Sequence, residues 1–372
     1  MSAGLPTALY TRYAVRYGFG PGVLTLIFAA FAAGIVVVLL TLGSLADRAG
    51  YHPVLIAAVL LAILASILFA TADDVAMLFI ARFLHGAAIG LALGAGTAAL
   101  ADLHPTGDAS QAALASTVAN VLGQASGALL GGVFGQWLPL PLRLVWLTHI
   151  AVLAVGLALL LGLPRGGPRP RPGWLRLEAL TIPAGMRTLL LINSAGAFAM
   201  GAVLGLYSSL TPSLLHALLH LPSLALAGAV SFLLLFVSAG VQVALRSLNP
   251  RTASVSGLLT LACGLIVVTT AAAVPSLPLL LTGTVVAGIG QGLTFLDLLA
   301  AVTVAAPAAQ RSDIVSFFFA VTWLGVALPS LGIGFAAPAF GLLTAVKIFA
   351  AVVILLALAA ATGLLGFRYA GR

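Results

Sequence analysis

The sequence predicts an all-α polytopic membrane protein, and three observations carry that prediction. The 372-residue chain is 62% hydrophobic and 6% charged. Its mean hydropathy is +1.21. Its uncharged runs repeatedly reach the roughly 20 residues that a helix needs to cross the hydrocarbon core of a bilayer. A soluble domain is about one quarter charged, so 16 Lys and Arg with 8 Asp and Glu cannot clothe a water-soluble globule of this length. Soluble enzymes are thereby excluded. The net charge of +8 comes from basic residues scattered between apolar runs, which gives no nucleic-acid footprint. A lone cysteine, Cys263, rules out an intrachain disulfide. No Cys/His grouping has metal-ligand spacing, and neither a metal nor another cofactor is expected.

The spans follow in order. Tyr17 to Ala46, Ala49 to Ala72, Phe83 to Ala101, Ala109 to Leu142 and Leu144 to Pro164 each supply one helix. Thr188 to Leu245, Thr252 to Leu296 and Ile314 to Gly366 are each long enough for two, divided in the first two cases near the turn signals at His220 and Pro275, with Asn249-Pro250 between them. Eleven spans result. A β-barrel is excluded because the runs are continuous rather than alternating and exceed the roughly 10 residues of a barrel strand.

Orientation follows from the basic residues at alternate connections, since Lys and Arg are enriched in short cytoplasmic loops. One set holds Arg48, Arg165, Arg169, Arg171, Arg176, Arg187, Arg246, Arg251, Arg311, Arg368 and Arg372; the other holds only Arg12, Arg16 and Arg143. The first set, with the C-terminus, is expected in the cytoplasm, in an inner membrane crossed many times. Residues 1–16 then lie outside. They contain two Arg and a Pro and no signal-peptide core, and read as the tail of an earlier helix, which would restore an even count of twelve.

The Pro-, Gly- and Arg-rich stretch from Pro164 is the one substantial polar connection, and such a sequence makes a stiff spacer. It divides the chain into an N-terminal bundle (residues 1–163), a cytoplasmic linker (164–186) and a six-helix C-terminal bundle (187–372). Five spans precede the linker and six follow; with the earlier helix restored the halves would hold six each, the arrangement of two repeats related by an axis along the membrane normal.

Four constellations carry the functional reading. At the first cytoplasmic turn stands Gly43-Ser-Leu-Ala-Asp47-Arg48-Ala-Gly50-Tyr51-His52. Gly43 allows close helix contact, Asp47 can accept from a helix N-terminus or an Arg, and Gly50 supplies a positive φ. In the third span, Arg82-Phe-Leu-His85-Gly-Ala-Ala-Ile-Gly90 puts an Arg inside an apolar run, where it costs about 2.5–3.5 kcal/mol unless it faces a partner or a wet cavity, or snorkels. His85 can share that face or be a satisfied core histidine. In the fourth span Gly123, Gly127, Gly131 and Gly135, with Gly132 beside them, form a packing stripe, while Asn120 and Gln124 are candidate cavity liners. In the helix from Leu279, Gly283, Ala287, Gly290, Thr294 and Asp297 share one stripe with Gln291 at its edge. Asp297, a carboxylate well inside a span, is either a proton carrier or the solvated end of a packing seam. Lys347 on the last span reads as snorkelling outward.

These motifs resemble the major facilitator superfamily. The first turn is similar to the family's G-x-L-a-D-r-x-G-r-r loop, with Tyr51 and His52 in place of its two basic residues. The Arg82 segment is similar to its R-x-x-q-G-x-g pattern, with His85 for Gln. Gly123 to Gly132 resembles its antiporter signature, with Ala128 for Pro. Pro141-Leu-Arg143-Leu leading to His149 looks like drug-efflux members. The resemblance implies alternating access about a central site, the first turn acting as a gate latch and Arg82, His85, Asn120, Gln124, Gln291, Thr294 and Asp297 as the substrate and proton pathway. It implies a monomer whose partners are a small-molecule substrate, protons and the lipid bilayer. The leading expectation is proton-driven efflux of a hydrophobic or amphipathic compound; uptake or uniport of a neutral solute, or a non-transporting remnant, stands beside it. No phosphate-binding loop, His-Glu-x-x-His or Gly-x-Ser-x-Gly is present, so no enzyme activity is expected.

Overall fold

A computed structural model describes residues 1–43, 45–103, 109–163, 184–246, 248–307 and 310–366. The linker over 164–183, the C-terminal Arg368 and Arg372, and the side chains of Asp47, Arg48, Arg251 and Arg311 lie outside the described residues.

After a buried run of turns over residues 1–9 come α1 (Tyr10–Tyr17), α2 (Pro21–Leu42), α3 (Leu45–Ala49), α4 (Tyr51–Ala70), α5 (Val75–Asp102), α6 (Ala109–Trp137) and α7 (Pro141–Leu161). Beyond the linker a single 3-10 turn leads into α8 (Arg187–Ala217), followed by α9 (Leu224–Ala244), α10 (Pro250–Ala273), α11 (Leu277–Ala305), α12 (Arg311–Phe340) and α13 (Leu342–Gly366). Eleven of these are long and apolar enough to cross a membrane, the short α1 and α3 being the exceptions. The protein is an all-α, multi-pass membrane bundle.

Local chemistry sets the helix ends. Asp74 caps α5 by accepting from the Met77 amide at 2.8 Å, and Ser223 caps α9 by accepting from Leu226 at 3.1 Å, each satisfying an amide that the helix leaves open. Pro21 and Pro141 open α2 and α7, where a missing N–H costs nothing. Gly50, between α3 and α4, has φ +85°, a conformation that strains other residues. That short turn positions α4 directly after the first loop.

Packing runs along glycine seams. The carbonyl oxygens of Thr322 and Val326 on α12 stand where β-carbons on Gly201 and Gly205 of α8 would be, and the Ala128 carbonyl does the same at Gly228, bringing α6 against α9. Lipid gives helices little hydrophobic drive to associate, so such close backbone approach is a main source of their affinity. One hydrophobic core joins α8 to α13; a second joins the N-terminal segment, α2, α4, α5 and α7, and takes Trp323, Val326 and Ala327 from α12. The α2–α12 and α6–α9 contacts bridge the two halves of the chain.

Candidate substrate and proton pathway

Arg82, eight residues into α5, is fully buried. Its Nη1 donates to the Ser2 carbonyl at 3.3 Å, while Nε and Nη2 have no partner. The guanidinium carbon lies 4.1 Å from the centre of the Phe31 ring and 5.8 Å from those of Phe28 and Tyr10. Cation–π attraction offsets part of the desolvation of such a charge. Arg82 does not snorkel.

His85, one turn further, is also fully buried. Its Nε2 lies 3.1 Å from Ser66 Oγ on α4, and the same oxygen lies 2.9 Å from Nδ1 of His149 on α7. Ser66 donates its proton to the Ala62 carbonyl at 2.7 Å, so its lone pairs must accept from both rings. With that donor, His85 is assigned the Nε2–H tautomer and His149 the Nδ1–H tautomer, which leaves His149 Nε2 to accept from the Ser2 hydroxyl at 3.2 Å. His85 Nδ1 has no partner. Aromatic rings hold the frame: Trp146 stacks on Phe69 at 4.1 Å and donates to Tyr13 Oη at 2.7 Å.

Further buried polar atoms without partners lie on α8, α9 and α11. Gln291, Thr294 and Asp297 are at most 6% exposed, and Gln291 Oε1, Thr294 Oγ1 and Asp297 Oδ2 have no partner. Asn193 Oδ1, Ser194 Oγ and Gln242 Oε1 share that state. The stripe of Gly283, Ala287, Gly290 and Thr294 faces α10, against Val268, Gly264, Leu261 and Gly257 respectively. Asp297 is therefore not a solvated end of the seam but a buried one.

The remaining sequence-chosen residues disperse. Gln124 is buried, and its carbonyl oxygen crowds Gly4; Asn120 and Lys347 are exposed. Gly127 and Gly131 receive the carbonyls of Met1 and Leu5, and Gly123 also faces Met1, whereas Gly132 faces α9. At the first turn Gly43 meets Ser316 of α12 and Gly50 makes the positive-φ bend. Arg82 and His85 come together; Gln291, Thr294 and Asp297 form a separate group in the other half.

A cavity of about 800 Å³ opens between α8, α12 and α13, lined by Arg187, Ser194, Phe198, Phe317, Val321 and Leu356 among others. None of the pathway residues chosen from the sequence lines it, and the sequence marks Arg187 only as a cytoplasmic charge. The signal was present: Arg187, Leu190, Leu191, Ser194, Ala195 and Phe198 recur at the spacing of one helix face. His149 and Ser66 were also missed as members of the Arg82 group. No three metal-ligating side chains cluster among the described residues.

The sequence model of the Major Facilitator Superfamily matches residues 1–328. The chain belongs to that superfamily. It is therefore a secondary transporter of small molecules working by alternating access, not an enzyme. Among curated proteins no sequence matches it. Similar solved structures include a D-xylose-proton symporter (TM-score 0.75, 15% identity, covering 96% of this chain and 92% of that one). The nucleoside transporter NupG (0.74, 16%, 97% and 95%) and the human organic anion transporter MFSD10 (0.67, 18%, 91% and 83%) are also similar. At these identities the likeness shows the shared fold of the transporter.

Proposed function

We propose that the transporter moves a small, largely apolar solute carrying at most one charge, by uptake or facilitated exchange. The observation that carries this reading is the cavity of about 800 Å³, whose lining among the described residues includes one cation, Arg187, no carboxylate and several aromatic or aliphatic side chains. That volume suits a drug-sized ligand, and a sugar phosphate or dicarboxylate would need several basic residues. The direction draws support from the neighbours, since the titles of two name a proton-linked sugar symporter and a nucleoside transporter. Residues 1–163 and 187–372 act as the rocking bundles, with the 164–186 linker and the C-terminus in the cytoplasm of an inner membrane. The protein works as a monomer.

Proton-driven export of an amphipathic compound is the second reading, and Asp297 favours it: a buried carboxylate in a span, with Oδ2 left without a partner, is a ready proton carrier. Flux of a solute panel into proteoliposomes, with the pH gradient imposed in either direction, separates the two. Accumulation inside oriented vesicles supports uptake, extrusion supports export, and no flux under any gradient sinks both. Ser194→Trp, which fills the cavity, should slow flux at least tenfold.

A further inference from the structure

The cavity between α8, α12 and α13 changes character with depth. Arg187, the first residue of α8, is exposed on its wall, and Phe198, on the same helix, lines it further in. At the rise of an α-helix these two stand about 16 Å apart along the axis, roughly half the thickness of a bilayer's hydrocarbon core. The cavity thus runs from the membrane surface to mid-depth. Arg187 is its one cation among the described residues and no carboxylate lines it, while Leu190, Phe198, Phe317, Val321 and Leu356 make the deeper wall apolar. That gradient matches a molecule with a negative end at the surface and an apolar body directed inward. A cationic end would meet the guanidinium, and a polyanion would need further basic residues.

Ser194 adds a second mark to the same wall. It is 8% exposed, and its hydroxyl has no partner. Serines inside a helix ordinarily donate to the carbonyl four residues back, as Ser66, Ser126, Ser209, Ser231 and Ser330 do here. The Ser194 hydroxyl makes no such bond, and a hydroxyl that can both donate and accept turns to a ligand without breaking one. A buried polar group without a partner is costly in a membrane span, so an occupant that bonds it is favoured. Ser194 lies about 10 Å along the helix from Arg187, which sets the distance from the charged end at which the ligand carries a hydroxyl or carbonyl.

We propose that this cavity takes a single-chain amphiphilic acid, its one negative end on Arg187 and a hydroxyl or carbonyl partway along its apolar body on Ser194. This rests on the reading that the cavity holds the transported solute, and it adds the sign of the charge and the position of the second polar group.

The test uses the full chain in nanodiscs of zwitterionic phosphatidylcholine at neutral pH, titrated with ω-hydroxydecanoate, decanoate and the uncharged decanediol, each corrected for uptake by protein-free discs. The hydroxy acid should bind at least tenfold more tightly than the diol and at least threefold more tightly than decanoate. Arg187→Gln should abolish the first preference and leave diol binding unchanged; Ser194→Ala should abolish the second; Ser194→Trp, which fills the cavity, should abolish all binding. Equal binding of acid and diol to the natural protein, or an undiminished preference in a folded Arg187→Gln protein, makes Arg187 an interfacial anchor and overturns the proposal. An unchanged ratio of hydroxy acid to decanoate in Ser194→Ala overturns the Ser194 contact. Loss of acid binding when phosphatidylglycerol is added to the discs assigns the cavity to a bilayer lipid and also overturns it. Vesicles keep the two readings apart. Acid binding with no flux of any solute retains the site and sinks transport through it, whereas flux of neutral solutes that Ser194→Trp blocks, with no preference for the acid, sinks the amphiphilic acid alone.

Discussion

The carbonyl oxygen of Phe31 occupies the place where a β-carbon on Gly86 would stand, and the Phe83 carbonyl does the same at Gly34. Helices α2 and α5 therefore touch backbone to backbone, and this contact seats Phe31 against Arg82. Replacing Gly86 with Leu forces the helices apart. Overpacking of this kind destabilises by about 1–3 kcal/mol. Thermal unfolding in detergent should show a lowered midpoint for Gly86→Leu and none for Gly96→Ala, a position on the same helix with nothing within 4 Å of an added β-carbon. Equal midpoints for the two variants would contradict the close approach.

Ser66 joins three helices through one oxygen. Ser66→Ala leaves the Nε2–H of His85 and the Nδ1–H of His149 without acceptors, at a total of about 1–2 kcal/mol. The tautomers give a readout independent of stability. Nitrogen NMR of histidine-labelled protein should find His85 protonated on Nε2 and His149 on Nδ1 in the natural chain. Finding the reverse pair would mean that Ser66 donates to a ring rather than to Ala62.

How far the sequence alone reaches depends on whether a feature is local. The eleven spans were legible because a run of apolar residues long enough to cross the bilayer has few other uses. The Gly123, Gly127 and Gly131 stripe was legible as a packing face, but its partner, the segment around Met1 and Leu5, is set by tertiary structure. Arg82 stood out as a charge in an apolar run; its burial against Phe31 depends on how α2 meets α5. Ser66 carried no signal, since a serine in a helix ordinarily bonds back to the carbonyl four residues before it, as Ser66 does with Ala62. Its second task as acceptor for two histidines appears only when α4, α5 and α7 are assembled. The small-residue stripe on α11 was readable by spacing, whereas its facing helix, α10, and the depth of Asp297 were not.

The indole of Trp146 is fully buried between Phe69 and Tyr13. Stacking and hydrogen bonding can be separated by a double-mutant cycle. Trp146→Phe with Tyr13→Phe should give a coupling of about 0.6 kcal/mol, the average for side-chain hydrogen bonds inside membranes, and no more than about 1.7. Trp146→Ala also deletes the ring face on Phe69 and should cost about 3–5 kcal/mol. Additivity in the cycle would show that the 2.7 Å contact adds nothing to stability.

Asp297 offers the most direct test of coupling. It is 6% exposed, and its Oδ2 has no partner, so neutralising it removes a buried charge without breaking a bond to that oxygen. Asp297→Asn should therefore fold at least as stably as the natural chain. If the carboxylate carries the coupling proton, the variant loses gradient-driven accumulation of solute at least tenfold, because Asn cannot load and release a proton, while exchange of labelled for unlabelled solute across the same vesicles continues at an undiminished rate. Asp297→Glu retains the ionisable group and should keep part of the accumulation. Loss of exchange and accumulation together would make Asp297 part of the structure of the moving bundle rather than of the proton path, and retention of both would remove it from the coupling altogether.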